Sequence, residues 1–461
     1  MIRIFSHYVS KMAFVLLMLE VLILLVAAAL TSALWLADGG RGAHDNLYLS
    51  SLAFALVVVF SMSALGMYQH GSRADIRHTL LRIMPSFALG FVLLSLLIYM
   101  VPGIRLTRGS SLVFLLGASA IALIRLALFR SARSPLMQAR LILVGGGALA
   151  KECIELAKSK SGFHQFAVVG CVDVPGEACC VPASTLLPGG VSLLEMARKY
   201  DVHEIVVSVA ERRAGRLPVR QLLECALGGV RVIDAAAFFE REACQIRIDS
   251  LQPSYLIFGG GFDQSFLRAA SKRVFDLLAS AAIGVAALPV MLATALAIRL
   301  DDGGPVFYQQ ERVGRDGKVY KVLKFRSMGC DAEHDGTPTW AAADDPRVTR
   351  VGRLIRKLRI DELPQVFNVF KGEMSFVGPR PERPYFVEQF KTAVPYYNIR
   401  HSIKPGITGL AQVRYQYGAS VDDAMRKLQY DLYYVKNNSL FLDLLILNDT
   451  VQVVLFGKGS R

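Results

Sequence analysis

The chain has 461 residues, 53% of them apolar, and a formal charge of +14; its mean hydropathy is +0.39. That hydropathy is high for a wholly soluble protein, and 20% charged residues is high for one buried in lipid. The composition excludes a disordered chain, a small disulfide scaffold and a collagen-like repeat, and implies membrane segments joined to soluble domains.

Four apolar runs come first, at about 12–37, 47–68, 80–101 and 111–129. Each is near the ~20 residues that cross a bilayer, and the first is too long, with no small-residue cleavage site, to be a cleavable signal. Arg3 and Lys11 precede the first run, Arg73, Arg77 and Arg82 lie between the second and third, and Arg125, Arg130, Arg133 and Arg140 close the fourth. The other two loops carry Arg41, then Arg105 and Arg108. By the positive-inside rule both ends of this block are cytoplasmic. Glu20 stands as an isolated acid in the first run, fewer intramembrane polar groups than a transport pathway needs. Charge follows the same division: residues 1–140 hold 12 Lys+Arg against 4 Asp+Glu, 141–298 hold 15 against 15, and 299–461 hold 25 against 19. An excess set among hydrophobic runs favours topology signals over a nucleic-acid face, so no nucleic-acid partner is expected.

Residues 136–255 read as alternating strands and helices. Strand Leu141–Val144 runs into Gly145-Gly146-Gly147 and a helix near Ala148–Lys158, and a second strand, Phe166–Val172, ends at Asp173. A helix near Leu193–Tyr200, a strand at Glu204–Val209, a helix near Val219–Leu227 and a strand at Val230–Ile233 follow. This is a doubly wound, Rossmann-like α/β pattern. Gly145 and Gly147 are candidates to approach a nucleotide's phosphates at a helix N-terminus, and Asp173 to meet its ribose. The alternative is a tight strand–helix turn in a fold kept for regulation or assembly, and the lack of a Tyr-x-x-x-Lys pair favours it. Of the seven cysteines, Cys179 and Cys180 are adjacent and no C-x-x-C pair occurs, which fits free thiols in a reducing compartment.

A fifth apolar run, Val274–Ile298, has Lys272 and Arg273 before it, Arg299 after it and Pro289 inside it. Positive charge on both flanks gives no preferred outside end. Proline removes a backbone hydrogen bond and kinks a helix. Periodicity alone leaves two readings: an ordinary fifth span, or a broken helix over about 272–298, hinged at Pro289, that enters one leaflet and returns. A cytosolic donor for the chemistry below decides for re-entry.

The last 190 residues are dense in polar clusters: Lys324-Phe325-Arg326-Ser327-Met328, Asp361-Glu362-Leu363-Pro364-Gln365, Gly378-Pro379-Arg380-Pro381 and Lys404-Pro405-Gly406-Ile407-Thr408-Gly409. Arg353 to Ile360 is a basic amphipathic segment suited to a membrane interface. A carboxylate at its end, Asp361, could attack phosphorus and form an acyl-phosphate. A covalent step would let a nucleotide leave before a second anionic phosphate arrives. Mg²⁺ suits carboxylate oxygens and would neutralise a diphosphate. Arg380, in its Gly-Pro frame, could clamp phosphate, and Lys324 and Arg326 could add charge. The bland readings are a helix N-cap pair for Asp361-Glu362 and a solvated basic strand for the Lys324–Met328 stretch. Asp331, Glu333, His334 and Asp335 resemble metal spacing but sit in a polar loop, and His401 is a candidate base or a satisfied histidine.

In this order over residues 272–461, these motifs resemble the bacterial sugar transferase family, the monotopic phosphoglycosyl transferases that move hexose-1-phosphate onto polyprenyl phosphate. Arg350-Val351-Gly352-Arg353, Phe238–Glu242 and Tyr430–Tyr434 resemble the group found with exosortase-type exopolysaccharide loci. The resemblance implies three regions: a four-helix transmembrane region (1–135), a Rossmann-like domain (136–255), and a mixed α/β catalytic domain with a re-entrant helix (256–461). It implies a UDP-sugar donor, an undecaprenyl phosphate acceptor, Mg²⁺, and a multi-pass place in the bacterial inner membrane with catalysis on the cytoplasmic face; long members are often homodimeric. Asp361 matches the family's nucleophile and Mg²⁺ ligand, Glu362 its partner, Arg380 its phosphate-binding arginine, and Leu288-Pro289 its hinge. Two departures occur, Leu288 where serine is usual before the proline and Leu410 where tryptophan is common. Two other function classes remain: an NAD-dependent nucleotide-sugar dehydratase, which the missing Tyr/Lys pair disfavours, and a non-catalytic scaffold for polysaccharide assembly, which the intact acidic pair disfavours.

Overall fold

The computed structural model describes residues 2–4, 7–9, 11–37, 47–68, 76–100, 110–132, 139–159, 166–188, 190–209, 217–248, 261–262, 265–329, 345–415 and 420–455. Arg41, Arg73, Arg105, Arg108, Arg133, and the run Asp331, Glu333, His334 and Asp335 lie outside these residues. The chain divides into two compact units, Tyr8–Ala243 with Met1–Ile2, and Cys244–Arg461 with Arg3–His7.

After two three-residue strands, β1 (Ile2–Ile4) and β2 (His7–Val9), the first unit runs through α1 (Lys11–Ala37), α2 (Leu47–Ala64), α3 (Ile76–Met100) and α4 (Ser110–Ala132). These occupy the four expected apolar runs. Leu24, Val58, Met62, Phe87 and Ile121 pack between them. Among the described residues, only Arg82–Tyr99 of α3 is long and apolar enough here to cross a membrane; Phe14–Ala27, Leu52–Ala64 and Leu116–Ala127 are shorter apolar helices. With one helix of the second unit the number of candidate spans among the described residues is two, against the expected four transmembrane helices.

Glu20 is not isolated. It is fully buried and accepts from Arg125 Nε at 2.6 Å and Nη2 at 3.1 Å, and from the Tyr68 hydroxyl. Arg125, which the sequence placed among the topology-setting charges after the fourth run, is instead buried and also donates to the Met67 carbonyl at 3.0 Å. A charge this deep is tolerable only when paired and fully hydrogen-bonded.

The rest of the first unit is β3 (Ala139–Val144), α5 (Ala148–Ser159), β4 (Phe166–Val172), α6 (Leu193–Lys199), β5 (Glu204–Val207), α7 (Val219–Leu227), β6 (Arg231–Asp234) and α8 (Ala235–Ala243). The four strands form a parallel sheet in the order β4-β3-β5-β6. Alternation along β3 sends Leu141 and Leu143 into one core with Phe238, and Ile142 and Val144 into another with Leu193 and Leu222. Side chains alternate faces along a strand, so a sheet covered on both sides needs an apolar run rather than an alternating one. Ile246 and Ile248, assigned by sequence to this region, lie in the core of the second unit, where the Ile246 amide donates to the Gln429 carbonyl at 3.0 Å.

The second unit opens with α9 (Phe266–Asp302), 37 residues long. Pro289 lies inside it and the helix continues through, so the expected break is absent as an interruption; proline withdraws one donor without ending the element. The N-terminal part is tied down by Lys272, whose Nζ donates to Asp443 Oδ2 at 2.6 Å and the Val377 carbonyl at 3.1 Å. Arg273 donates to the Val369 and Phe370 carbonyls at 2.7 and 2.8 Å, and buried Asp276 accepts from Ser375 Oγ and the Phe376 amide. At the far end Asp302 pairs with Arg326, and Asp301 accepts from the Val351 amide at 3.3 Å. Between these anchors Val285, Leu288, Leu292 and Leu296 are exposed.

An antiparallel hairpin follows, β7 (Phe307–Val313) with β8 (Val319–Phe325). Then come α10 (Arg350–Lys357), capped by Thr349, a 3₁₀ turn at Ile360–Glu362, and α11 (Gln365–Lys371). Strand β9 (Ser375–Val377) pairs in parallel with β10 (Gly406–Thr408), and between them lie α12 (Pro384–Ala393) and the 3₁₀ segment Tyr397–Ser402. Three helices close the unit: α13 (Leu410–Arg414), α14 (Val421–Asn437) and α15 (Leu440–Leu455). Val369, Val377, Val387, Leu432, Tyr433 and Leu442 form its core.

Candidate active site

The motifs Gly378-Pro379 and Pro405-Gly406 form one structure. The Gly378 amide donates to the Thr408 carbonyl at 2.9 Å, the Ser375 amide to Pro405 at 2.9 Å and the Gly406 amide to Pro379 at 3.0 Å. A Cβ on Gly378 would overlap the Lys404 carbonyl and one on Gly406 the Gly378 amide. The two segments can cross this closely only as glycines, and the crossing fixes the turn that presents Arg380.

Asp361 and Glu362 sit on the 3₁₀ turn between α10 and α11. Arg359 enters that turn with φ 58 and Pro364 leads into α11. Lys324 comes from β8, which is braced by Asn368: its Oδ1 accepts from the Leu323 amide at 3.0 Å and its Nδ2 donates to the Lys321 carbonyl at 2.8 Å. Three distant motifs therefore meet at one carboxylate. Glu362 Oε1 accepts from Lys324 Nζ at 3.4 Å and Arg380 Nη2 at 3.2 Å, with Arg359 Nη1 at 3.9 Å. All these side chains are largely buried except Arg359, which is 41% exposed.

The two acids are driven apart electrostatically. Burial would raise Glu362, but Lys324, Arg380 and Arg359 outweigh it and pull the carboxyl down to about 2. Burial raises Asp361 and the Glu362 charge raises it further, against Lys324, Arg359 and Arg356. Burial also lowers Lys324, as do Arg380 and Arg312, while Glu362 opposes them. Two neighbouring carboxyls pushed in opposite directions are the usual mark of divided roles. Contacts agree: Glu362 is saturated with cations, whereas Asp361 Oδ1 is buried with no hydrogen-bond partner in the structure.

An unpartnered buried acceptor can take a metal or an incoming phosphorus. No group of three or more His, Cys, Asp and Glu side chains that could hold a metal occurs among the described residues. Mg²⁺ nonetheless fits, because it binds through one or two carboxylates completed by substrate phosphate oxygens and water. Asp361 is the ligand the donor set offers.

Arg326 is not part of this cluster's contacts with Glu362. Its guanidinium pairs with Asp302, fastening the end of α9 to the hairpin. His401 is buried, and burial, then Arg400 and Lys391, lower it to about 3, so it is a neutral packed histidine at ordinary pH. Arg359, which the sequence places on a basic segment suited to the membrane interface, stands beside Glu362 instead, and beneath Arg380 lie Arg400 and Asp431, which the sequence does not mark as site residues. In the sequence the Tyr430–Tyr434 stretch stands out only as a group signature.

In the first unit Gly145, with φ +110, closes the turn after β3 and Asp173 is exposed at the end of β4. The space beside the turn holds the chain's own acid. A Cβ on Gly147 would meet Glu177 Oε1 at 2.5 Å, and one on Gly145 would meet Oε2 at 2.8 Å. A carboxylate at that place repels a nucleotide's phosphates, which counts against nucleotide binding by the candidates Gly145, Gly147 and Asp173 and agrees with the alternative of a tight strand–helix turn.

Residues 267–457 match the family model described as bacterial sugar transferase. A UDP-N-acetylgalactosamine-undecaprenyl-phosphate N-acetylgalactosaminephosphotransferase of Aeromonas hydrophila is 45% identical over 242 residues, 52% of this chain and 56% of the relative. An undecaprenyl-phosphate glucose phosphotransferase of Komagataeibacter xylinus is 43% identical over 194 residues, 41% of this chain and 36% of the relative. A UDP-glucose:undecaprenyl-phosphate glucose-1-phosphate transferase of Escherichia coli (strain K12) is 31% identical over 325 residues, 68% of this chain and 67% of the relative. The chain spans 36% to 67% of the length of these relatives.

Proposed function

Because the chain belongs to the bacterial sugar transferase family, we propose that it transfers a hexose-1-phosphate from a UDP-sugar to undecaprenyl phosphate with release of UMP. An oxygen of Asp361 attacks the sugar-linked phosphorus of the donor. The bond from that phosphorus to the bridging oxygen breaks, and UMP leaves with the electron pair. An oxygen of undecaprenyl phosphate then attacks the same phosphorus, the aspartyl–phosphorus bond breaks, and the carboxylate is restored. One phosphoanhydride replaces another, so the exchange needs no ATP. Mg²⁺ held by Asp361 and the donor's diphosphate would neutralise charge as it develops.

The observation that carries this reading is the contrast within the acidic pair: Asp361 Oδ1 is buried and unpartnered, and Glu362 beside it is pinned by three cations. Glu362 holds Lys324 and Arg380 at the reacting phosphorus and keeps the turn rigid. Arg380 clamps the transferred phosphoryl group, since a guanidinium can hold two phosphate oxygens at once. The test is purified protein with UDP-glucose, UDP-galactose or UDP-N-acetylgalactosamine, Mg²⁺ and undecaprenyl phosphate, scored for UMP release. UMP release that survives Asp361→Asn unchanged would remove the nucleophile assignment.

We also read α9 as re-entrant, with the catalytic unit at the cytoplasmic face of the inner membrane and the sugar-lipid product starting an exopolysaccharide repeat. Support comes from the two anchored ends: Lys272 and Asp302 both bond into the same compact unit. Thirty residues of helix extend about 45 Å, and a helix crossing the bilayer would put its ends on opposite sides. Exposed Leu354 on α10, Leu358 just after it, and Phe367 and Phe370 on α11 add apolar surface suited to the interface.

A further inference from the structure

Arg400 takes no part in the steps above. It lies in the 3₁₀ segment Tyr397–Ser402 and is 6% exposed. Its Nε and Nη2 donate to Asp431 Oδ2 at 3.0 and 2.8 Å, and its Nη1 donates to the Tyr397 hydroxyl at 2.8 Å. Nη2 also donates to the backbone carbonyl of Arg380 at 2.9 Å. Asp431, on α14, is 1% exposed. Withdrawing two charges from water is costly, and here one of the bonds so gained holds the main chain of a proposed phosphate clamp.

The neighbouring carbonyls show that the whole stretch is held from outside. Val377 accepts from Lys272 Nζ and the Tyr434 hydroxyl at 3.1 and 3.0 Å, and Pro379 from the Gly406 amide at 3.0 Å. Pro381 accepts from Arg312 Nη1 at 3.0 Å and Glu382 from the Val313 amide at 3.0 Å. Within this frame the hold on Arg380's own carbonyl is Arg400. Only a planar fork reaches a carboxylate, a phenol and a carbonyl in different directions; a lysine ammonium on a flexible stem does not reproduce that geometry.

We propose that Arg400, itself fixed by Asp431, is a positioning residue that sets the backbone at Arg380 so that the Arg380 guanidinium reaches Glu362 and the donor's phosphate. The proposal rests on the phosphotransfer reading given above. A displacement of about 1 Å in a clamp can cost on the order of a hundredfold in rate.

The experiment is a double-mutant cycle in the full-length protein in lipid nanodiscs, using Arg400→Lys, Arg380→Ala and the pair. The readouts are kcat/KM for UMP release and hydrogen exchange over residues 377–383. Arg400→Lys should lower kcat/KM about ten- to a hundredfold in the wild-type background, and less than about threefold further once Arg380 is alanine. Losses that multiply in full would overturn the proposal, because Arg400 would then act independently of Arg380. Faster exchange confined to 377–383 in Arg400→Lys supports positioning even where the wild type releases no UMP, a result that sinks the transferase reading alone. Exchange there unchanged from wild type overturns the positioning role whatever the activity. Tyr397→Phe, which removes one acceptor and keeps the guanidinium, supplies the same cycle with a smaller loss if Arg400→Lys does not fold.

Discussion

At Asp361 and Glu362 identical chemistry is split by environment, and the split has a pH signature. Glu362 is held at about 2, below its ordinary value of 4.5, by Lys324, Arg380 and Arg359 acting against burial. A depressed carboxyl contributes folding stability that is complete above the ordinary value and fades as pH falls towards the folded one. Glu362→Gln should therefore flatten the loss of thermal stability between about pH 4.5 and 2, measured by melting curves across that range. Asp361 must be ionised to attack, and burial with the Glu362 charge raises it. The acid limb of kcat/KM should lie above the usual aspartate range. It should move to lower pH in Glu362→Gln, which removes the raising charge, and to higher pH in Lys324→Met, which removes a lowering one; opposite shifts would reverse the electrostatic account. Asp361→Asn should cost at least about a thousandfold in UMP release.

Among the elements, α10 and α9 do different work for the same surface. α10 buries Ile355 and exposes Arg353, Leu354 and Lys357, and Leu358 just after it is exposed too. Each basic side chain near an anionic bilayer is worth about 1 kcal/mol. Reversing both exposed charges, Arg353→Glu with Lys357→Glu, should raise the KM for undecaprenyl phosphate at least about tenfold in anionic nanodiscs and much less in neutral ones. Equal effects in both lipids would place α10 away from the membrane. In the first unit, Glu20 and Arg125 join α1 to α4 through a fully buried pair. Glu20→Gln should destabilise that bundle by about 3–5 kcal/mol, seen as a lower melting temperature in detergent. Replacing both partners by apolar residues of similar size should recover much of it, because no uncompensated charge is then left.

On the scale of the whole molecule, a helix anchored at both ends in one unit makes a prediction about sidedness. In a cysteine-free background, Val319→Cys on the hairpin and Lys151→Cys on α5, both exposed, should react with a membrane-impermeant thiol reagent only from the cytoplasmic side. Labelling of Val319→Cys from the periplasm would make α9 a crossing span. Glu177 against the glycine turn makes a second prediction for the first unit. NAD, which the proposed transferase site does not use, should leave the wild type's melting temperature unchanged, and stabilisation by NAD would restore the nucleotide-binding reading.

The sequence by itself determined the elements of the parallel sheet, because short continuous apolar runs and a glycine turn are local signals. It also singled out Asp361, Glu362, Lys324 and Arg380 as candidates, because each lies in a short polar motif that resembles the sugar transferase family's. Tertiary structure decided how those motifs are used. Lys324 meets Glu362, but Arg326, two residues on, does not follow it, because β8 ends at Phe325 and strand alternation stops there. Glu20 found Arg125 across 105 residues, and Arg400 found Asp431 across 31. No local pattern marks such partners, since a buried ion pair is chosen by the cost of leaving a charge alone in a low-dielectric interior, and that cost exists only once the chain has packed.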